Sequence, residues 1–324
     1  MARRTRTPRG RFWVMPLALL LDAILGEPPA RFHPVVWIGT LIARLERQAP
    51  RHGPAALGAG AAIVGAVAGS AVAGAWLLER LSRRLPWPMA VLVDAWLLKT
   101  LLSVRALLIA AQTVERPLAT GNLSAARESV TALVSRDAES LTVDQLTSAA
   151  IESLAENSVD SVVAPLLFYA AGGLPAAAGY RAANTLDAMI GYRGEYEQLG
   201  KCAARLDDLL NIVPARITSG LLLIAGAICG GTLPSGVAIT RRDHGRTASP
   251  NAGWPMSTMA GLLYTRLEKP GHYVLGADLP EPDLSAIDQA AEIVKAVAVL
   301  ALPLAIGLQS LRRSGMRRQP CQTG

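Results

Sequence analysis

Three carboxylates stand at four-residue spacing in the segment IESLAENSVDSVVAP: Glu152, Glu156 and Asp160. On a helix this spacing puts them on one face. Like charges so placed repel in water, and a bound cation relieves the repulsion. Mg²⁺ suits such a site, because it takes carboxylate oxygens together with water and substrate phosphate. Glu156 and Asp160 are therefore candidate magnesium ligands and candidate catalytic groups. A solvated acidic face has the same spacing, so both readings stay open. The position directly before an apolar segment favours the first.

A second polar stretch reads YRAANTLDAMIGYRGEYEQLGKCAARLDDLLNIVPAR, residues 180–216. Asn184 and Asp187 are i, i+3 neighbours, as are Arg205 and Asp208, while Asp207 and Asn211 are i, i+4. Arginine presents a fork suited to phosphate or carboxylate, and paired carboxylates suit a metal. Surface salt bridging is the bland alternative and is worth little. GYRGEYEQLG is glycine-rich but is not a phosphate-binding P-loop, since GxxxxGK[ST] is absent. A third stretch, SPNAGWP at residues 249–255, is turn chemistry throughout. Ser249 and Asn251 offer hydrogen bonds there, and Trp254 a flat stacking surface.

The elements that position these residues follow from composition. The 324 residues are 51% hydrophobic, 5% aromatic and 18% charged, with mean hydropathy +0.30. That excludes disorder and a disulfide scaffold and points to a chain largely in lipid. A crossing needs about 20 apolar residues. Residues 53–78 give 26 without a charge, including Gly65-xxx-Gly69, a spacing that lets helices approach closely. Residues 217–240 give 24, and residues 161–180 give 20, interrupted by Gly172, Gly173 and Pro175. The 161–180 stretch reads as a span, a broken helix or a re-entrant segment. Residues 86–111 are apolar but carry Asp94, Lys99 and Arg105, which are functional candidates if they lie in lipid. Residues 296–311 are a shorter run. Residues 12–21 follow arginines as in a signal peptide, but no A-x-A-like site follows, so the segment is expected to be retained. The count is four to six spans.

Residues 112–160 are hydrophilic and helix-prone and read as two or three amphipathic helices outside the lipid, one over Ser124 to Arg136. The expected fold is all-α: a polytopic helical membrane protein with cytoplasm-facing amphipathic helices. Its parts are a basic tail (1–11), a membrane domain (12–311) with the polar helical insert at about 112–160, and a second basic tail (312–324).

The net charge of +7 lies in those tails. They hold nine arginines and no acid, and the rest of the chain has 23 bases against 25 acids. A basic patch for nucleic acid is therefore not expected. Arginine tails beside apolar segments anchor on the cytoplasmic leaflet, which puts both tails inside, favours an even number of spans and locates the chain in the cell (inner) membrane. Cys202, Cys229 and Cys321 make no metal-ligand spacing.

Four segments in order resemble the CobD/CbiB family of cobalamin biosynthesis, the adenosylcobinamide-phosphate synthases: LLLDAILGEPPARFHPVVWIG (19–39), ENSVDSVVAP (156–165), YRAANTLDAMIGY…ARLDDLLNIVPARIT (180–218) and SPNAGWPMSTMAG (249–261). The similarity runs from about residue 14 to 305. It departs at Glu27, where the family commonly reads Gly-Asp-Pro, and the polar helical region carries few signature residues. The resemblance implies a multi-pass membrane enzyme of late cobalamin assembly. It would join adenosylcobyric acid, through its f propionate carboxyl, to aminopropanol or its phosphate. Amide formation from a carboxylate needs activation, ordinarily by Mg-ATP through an acyl phosphate. On that reading Glu156 and Asp160 hold the metal, and Asp207 and Asp208 bind metal or amine, with Asp187 a further catalytic candidate. Arg181, Arg193, Arg205 and Arg216 hold phosphates. Asn157, Asn184, Asn211 and Asn251, with Ser249, bond the corrinoid's amide fringe, and Trp254 packs on its ring. His33 is either a base or a structural loop histidine. The corrinoid and its cobalt are substrate, and no protein-bound cofactor is implied. Partners left open are other late cobalamin-assembly membrane proteins or a second copy of the chain. Two competing readings are a non-catalytic AmpE-like sensor or accessory protein and a membrane transporter. The intact ENSVDSVVAP and SPNAGW motifs speak against the first, and the lack of an inverted repeat against the second.

Overall fold

The computed structural model describes residues 12–131, 139–192 and 194–317. Arg193, the tail residues 1–11 and 318–324, Cys321 and the end of the helix expected to reach Arg136 lie outside them. The helices are α1 (Val14–Leu25), α2 (Pro34–Glu46), α3 (Pro54–Ser82), α4 (Trp87–Lys99), α5 (Val104–Ala119), α6 (Leu123–Val130), α7 (Val143–Ser158), α8 (Ala164–Gly172), α9 (Leu174–Ile190), α10 (Lys201–Ile228), α11 (Leu233–Asp243), α12 (Gly253–Leu262) and α13 (Ser285–Arg317). A π-helical turn, Val159–Val163, joins α7 to α8. The all-helical expectation misses one small element. β1 (Leu267–Lys269) and β2 (Tyr273–Leu275) pair antiparallel through a Pro270-Gly271 turn, with Gly271 at φ 73°.

Three helices among the described residues are long and apolar enough to cross a membrane: α3, α10 and α13 up to Arg312. α3 is about 43 Å long at 1.5 Å per residue. The sequence count of four to six is larger because glycine and proline cut several apolar runs. Residues 161–180 form a broken helix, with Gly173 at φ 75° between α8 and α9. The run 217–240 is not one span. α10 starts upstream at Lys201 and ends before Gly230 (φ 82°), and α11 begins at Leu233. Residues 86–111 are likewise divided between α4 and α5.

The chain divides into two compact units. One comprises Met1–Ser103, Ala164–Leu209 and Ala301–Gly324, and the other Val104–Val163 and Leu210–Leu300. In the first, α9 packs on α2, α3 and α8, and α1 on α4. Its core holds Ile42 of α2, Ile63 and Val67 of α3, and Ala182, Leu186 and Ile190 of α9. The i, i+4 spacing within α3 and α9 makes each contribution one stripe. Asp94 is buried in this unit and accepts a hydrogen bond from Ser82 Oγ at 2.6 Å. Lys99 is fully buried with its ammonium 5.0 Å from the Trp96 ring centre.

In the second unit α5 buries Val104, Leu107, Ala111, Val114 and Leu118, a single helical face, and packs on α6 and α7. α7 opens with a capping box. The Thr142 hydroxyl accepts the Gln145 amide at 3.3 Å, and the Gln145 side chain accepts the Thr142 amide at 3.1 Å. α12 packs on α11, α7 and both strands.

Candidate functional site

In the first unit the polar residues of α9 meet the start of α10. The Arg181 guanidinium donates to Asn184 Oδ1 (3.4 Å) and Ser103 Oγ (3.3 Å). Asn184 Nδ2 in turn donates to Asp207 Oδ1 at 3.4 Å. Ser103 has no counterpart in the sequence reading; it closes the short break between α4 and α5, and nothing in its local sequence marks it. Asp187 and Asp208 are half-buried, and Arg205 is exposed. The loop between α9 and α10 is shaped by glycine. A Cβ at Gly191 would lie 2.0 Å from the Asp187 carboxylate, and one at Gly200 1.6 Å from the Ile190 carbonyl. The same loop is tied to the end of α2. Arg51 donates to Glu46 (2.6 Å) and Glu195 (2.5 Å), and the Tyr196 hydroxyl donates to Glu46 at 2.7 Å. That bond to a carboxylate pushes the Tyr196 phenol up.

His33 caps α2. Its Nδ1 accepts the Val35 amide at 3.2 Å, capping α2, so the ring proton is on Nε2, 2.6 Å from Glu27. The Glu27 that departs from the family pattern is the partner of this histidine.

In the second unit the acidic face of α7 is not a row of three equivalent carboxylates. Glu152 is buried, accepting from Ser148 Oγ (2.8 Å) and the Tyr273 hydroxyl (2.9 Å). Two donors on one carboxylate stabilise its ionised form. Ser148 Oγ also accepts the Glu268 amide of β1 at 2.7 Å, so the hairpin is fastened to α7. Glu156 is exposed and Asp160 half-buried. Asp160 lies in the π turn that follows α7. The Asn157 amide donates back to Ser153, to its carbonyl and its Oγ at 3.0 Å each. Among the described residues no three His, Cys, Asp or Glu side chains gather as a metal site. A magnesium completed by nucleotide phosphate and water needs only one or two protein carboxylates. Glu156 and Asp160 fit that ion in number and hardness, and a dedicated metal cage is not present among these residues.

The turn before α12 is held by its own side chains. Ser249 Oγ accepts the amides of Asn251 (3.2 Å) and Ala252 (3.3 Å), so this hydroxyl caps the turn. Asn251 is buried and its Oδ1 accepts Arg216 Nη1 at 2.9 Å. The Arg216 guanidinium carbon lies 4.9 Å from the centre of the Trp254 ring, and His244 packs on the same indole at 4.2 Å. A Cβ at Gly253 would strike the His244 carbonyl at 2.0 Å, so only glycine lets the turn approach α11. Asn211 is buried on α10.

A charge network ties the end of α11 to Gly276 and Asp278 beyond β2, a link of 33 to 36 residues that local spacing does not reveal. Asp243 is fully buried and receives Arg242 at 2.9 and 3.0 Å, Arg246 at 2.9 Å and the Gly276 amide at 2.8 Å. Burial pushes this carboxyl up, but the bonds from Arg242 and Gly276 and the two arginine charges hold it below the usual range. Arg242 also holds Asp278, at 2.6 Å, and lowers it likewise.

The profile of the family described as CobD/Cbib protein matches residues 15–314. The cobalamin biosynthesis protein CobD of Dehalococcoides mccartyi is 41% identical over 270 residues, 81% of this chain and 86% of its own length. CobD of Klebsiella pneumoniae is 37% identical over 307 residues, 90% of this chain and 96% of its own. The cobalamin biosynthesis protein CbiB of Salmonella arizonae is 39% identical over 262 residues, 79% and 82% of the two chains. No solved structure matches the chain. The matched region takes in all four motifs and both polar clusters, and the chain belongs to the CobD/CbiB family.

Proposed function

We propose that this protein acts in cobalamin biosynthesis as an amide-forming ligase. It joins the f propionate carboxyl of adenosylcobyric acid to aminopropanol or its phosphate, with ATP as the activating substrate. The observation that carries the reading is the Arg216–Asn251–Trp254 cluster. A guanidinium is fixed by a buried amide against an indole face, inside a motif shared with the family. A fixed arginine recognises a phosphate or carboxylate by its fork, and an indole face packs an apolar ring. In this reading Asn251 and Ser249 act on the protein rather than on the substrate, because the arginine and the turn amides already engage them. The Arg181–Asn184–Asp207 chain offers a second cation with a carboxylate behind it, suited to an amine or its phosphate.

In the reaction the propionate carboxylate takes the γ-phosphoryl group and ADP leaves. The amine nitrogen then attacks the acyl carbon, phosphate departs and the nitrogen gives up a proton. Arg216 holds phosphate charge in its own unit, and in the other unit Arg181 is a candidate for phosphate and Asp207 or Asp208 for the ammonium or its proton. Glu156 and Asp160 would hold magnesium, which would supply charge neutralisation at the phosphates.

The test is direct. The detergent-purified protein is incubated with adenosylcobyric acid, Mg-ATP and aminopropanol phosphate, with parallel reactions lacking ATP or using free aminopropanol, and product is followed by mass spectrometry. Product that requires ATP is expected, and Asp160→Asn should reduce turnover about a hundredfold. A folded preparation that binds the corrinoid but makes no product in any reaction would refute the ligase.

A further inference from the structure

The motif around GEPPARFHPVVWIG has no part in that chemistry, yet it walls a cavity. Within the first unit a space of about 510 Å³ is bounded by Phe32, Trp37, Gly74, Leu78, Trp96 and Leu174, among others. The two hydroxyls on its wall are spent on their own helices: Ser70 Oγ donates to the Val67 carbonyl (2.9 Å) and Thr100 Oγ1 to the Leu97 carbonyl (2.7 Å). The Trp37 indole N–H donates to the Arg31 carbonyl at 3.0 Å. The wall therefore presents hydrocarbon and ring faces. A corrinoid or a nucleotide, fringed with polar groups, would lose hydrogen bonds there.

α3, which forms one side, is a membrane-length helix with only 17% of its most apolar stretch buried. The medium outside such a helix is lipid hydrocarbon rather than water. At the motif end the exposed Arg31 lies over Phe32, its guanidinium carbon 4.8 Å from the ring centre. The acid of that turn, Glu27, is bound to His33 at 2.6 Å. Arg31 thus supplies an outward positive charge beside an apolar wall. We propose that the cavity holds an acyl chain of an anionic phospholipid whose phosphate rests on Arg31.

Gly74 lines the cavity, and a Cβ there meets nothing within 4 Å. Gly74→Leu therefore fills the space without strain and adds a better helix former. Gly65→Leu is its control, on the same helix, equally unhindered and off the wall. The full chain is placed in nanodiscs of phosphatidylglycerol and phosphatidylcholine, then released in mild detergent, and retained lipid is counted by native mass spectrometry. A single phosphatidylglycerol is expected on the wild type and on Gly65→Leu. Gly74→Leu should lower its occupancy about tenfold, the effect of losing a few buried methylenes. Arg31→Gln should keep a lipid but lose the preference for phosphatidylglycerol. Equal retention in Gly74→Leu and wild type, or no headgroup preference in the wild type, overturns the proposal. So does a dimer that Gly74→Leu disrupts while lipid retention is unchanged, which would give the cavity to a second copy. Independently of any variant, a photoactivatable acyl chain on phosphatidylglycerol should label Trp37 or Leu78. Labelling confined to residues off the cavity wall overturns it.

Discussion

Arg216 and Asn251 form the most consequential residue pair, because the amide is buried and the guanidinium is its partner. Removing the arginine takes a charged donor away from a buried amide, a loss of about 1–3 kcal/mol. Arg216→Ala and Asn251→Ala should therefore each destabilise, and the double variant should lose less than their sum by about 1–2 kcal/mol. Unfolding of the three variants in detergent measures this; strict additivity would show that the contact contributes nothing. Asp243 gives a pH prediction. Its folded carboxyl titrates below the unfolded value, so its stabilisation is complete above that value and is lost as pH falls through the folded one. Stability should begin to drop below about pH 4, the unfolded aspartate value, and Asp243→Asn should be less stable at neutral pH with a flatter acid limb. An unchanged acid limb in that variant would assign the loss to other carboxylates. The sequence shows Asp243 only as part of an Arg-Arg-Asp-His run. Its burial and its bond to Gly276, 33 residues away, are tertiary facts that no local spacing carries.

At the scale of elements, α7 and the β1–β2 hairpin act as one piece through Ser148, Glu152 and Tyr273. Tyr273→Phe removes one donor from a buried carboxylate and should cost about 1–3 kcal/mol of stability. If α7 positions Glu156 and Asp160, this variant should also lower kcat with little change in KM, whereas a purely structural latch would leave the kcat of the folded fraction unchanged. Turn and break chemistry was legible in the sequence at Gly172–Pro175 and in the SPNAGWP stretch, because glycine and proline restrict the backbone locally. It was equally present at Gly230-Gly231, where a count of uncharged residues alone ran the span through a helix end. The hairpin was signalled only by Pro270-Gly271, and strands of three residues leave too short a pattern to read. The π turn had no signature at all. An inserted residue in a helical ladder changes no composition, so spacing arithmetic does not anticipate the π turn at Asp160.

For the whole molecule, the tails and the helices make a joint demand. Three crossings put the two arginine-rich segments on opposite sides of the bilayer, while nine arginines with no accompanying acid call for both on the cytoplasmic side. Both conditions hold only if a further crossing is made by shorter helices. α1 is apolar over Val14–Leu25 but spans about 18 Å at 1.5 Å per residue, short of the roughly 30 Å hydrocarbon core. α8 and α9 together run from Ala164 to Ile190, with the break at Gly173 between them. A broken helix is tolerated at membrane depth where its freed backbone groups are met by protein. There the Gly173 amide donates to the Tyr169 carbonyl at 2.8 Å. The α8–α9 pair and α1 are therefore the short segments that could supply the further crossing. Fluorescent and phosphatase reporters fused beside residues 1–11 and beside residues 312–324 measure the outcome. Both positions should report the cytoplasmic side. Tails on opposite sides would leave three crossings and overturn the positive-inside reading of the arginine-rich segments.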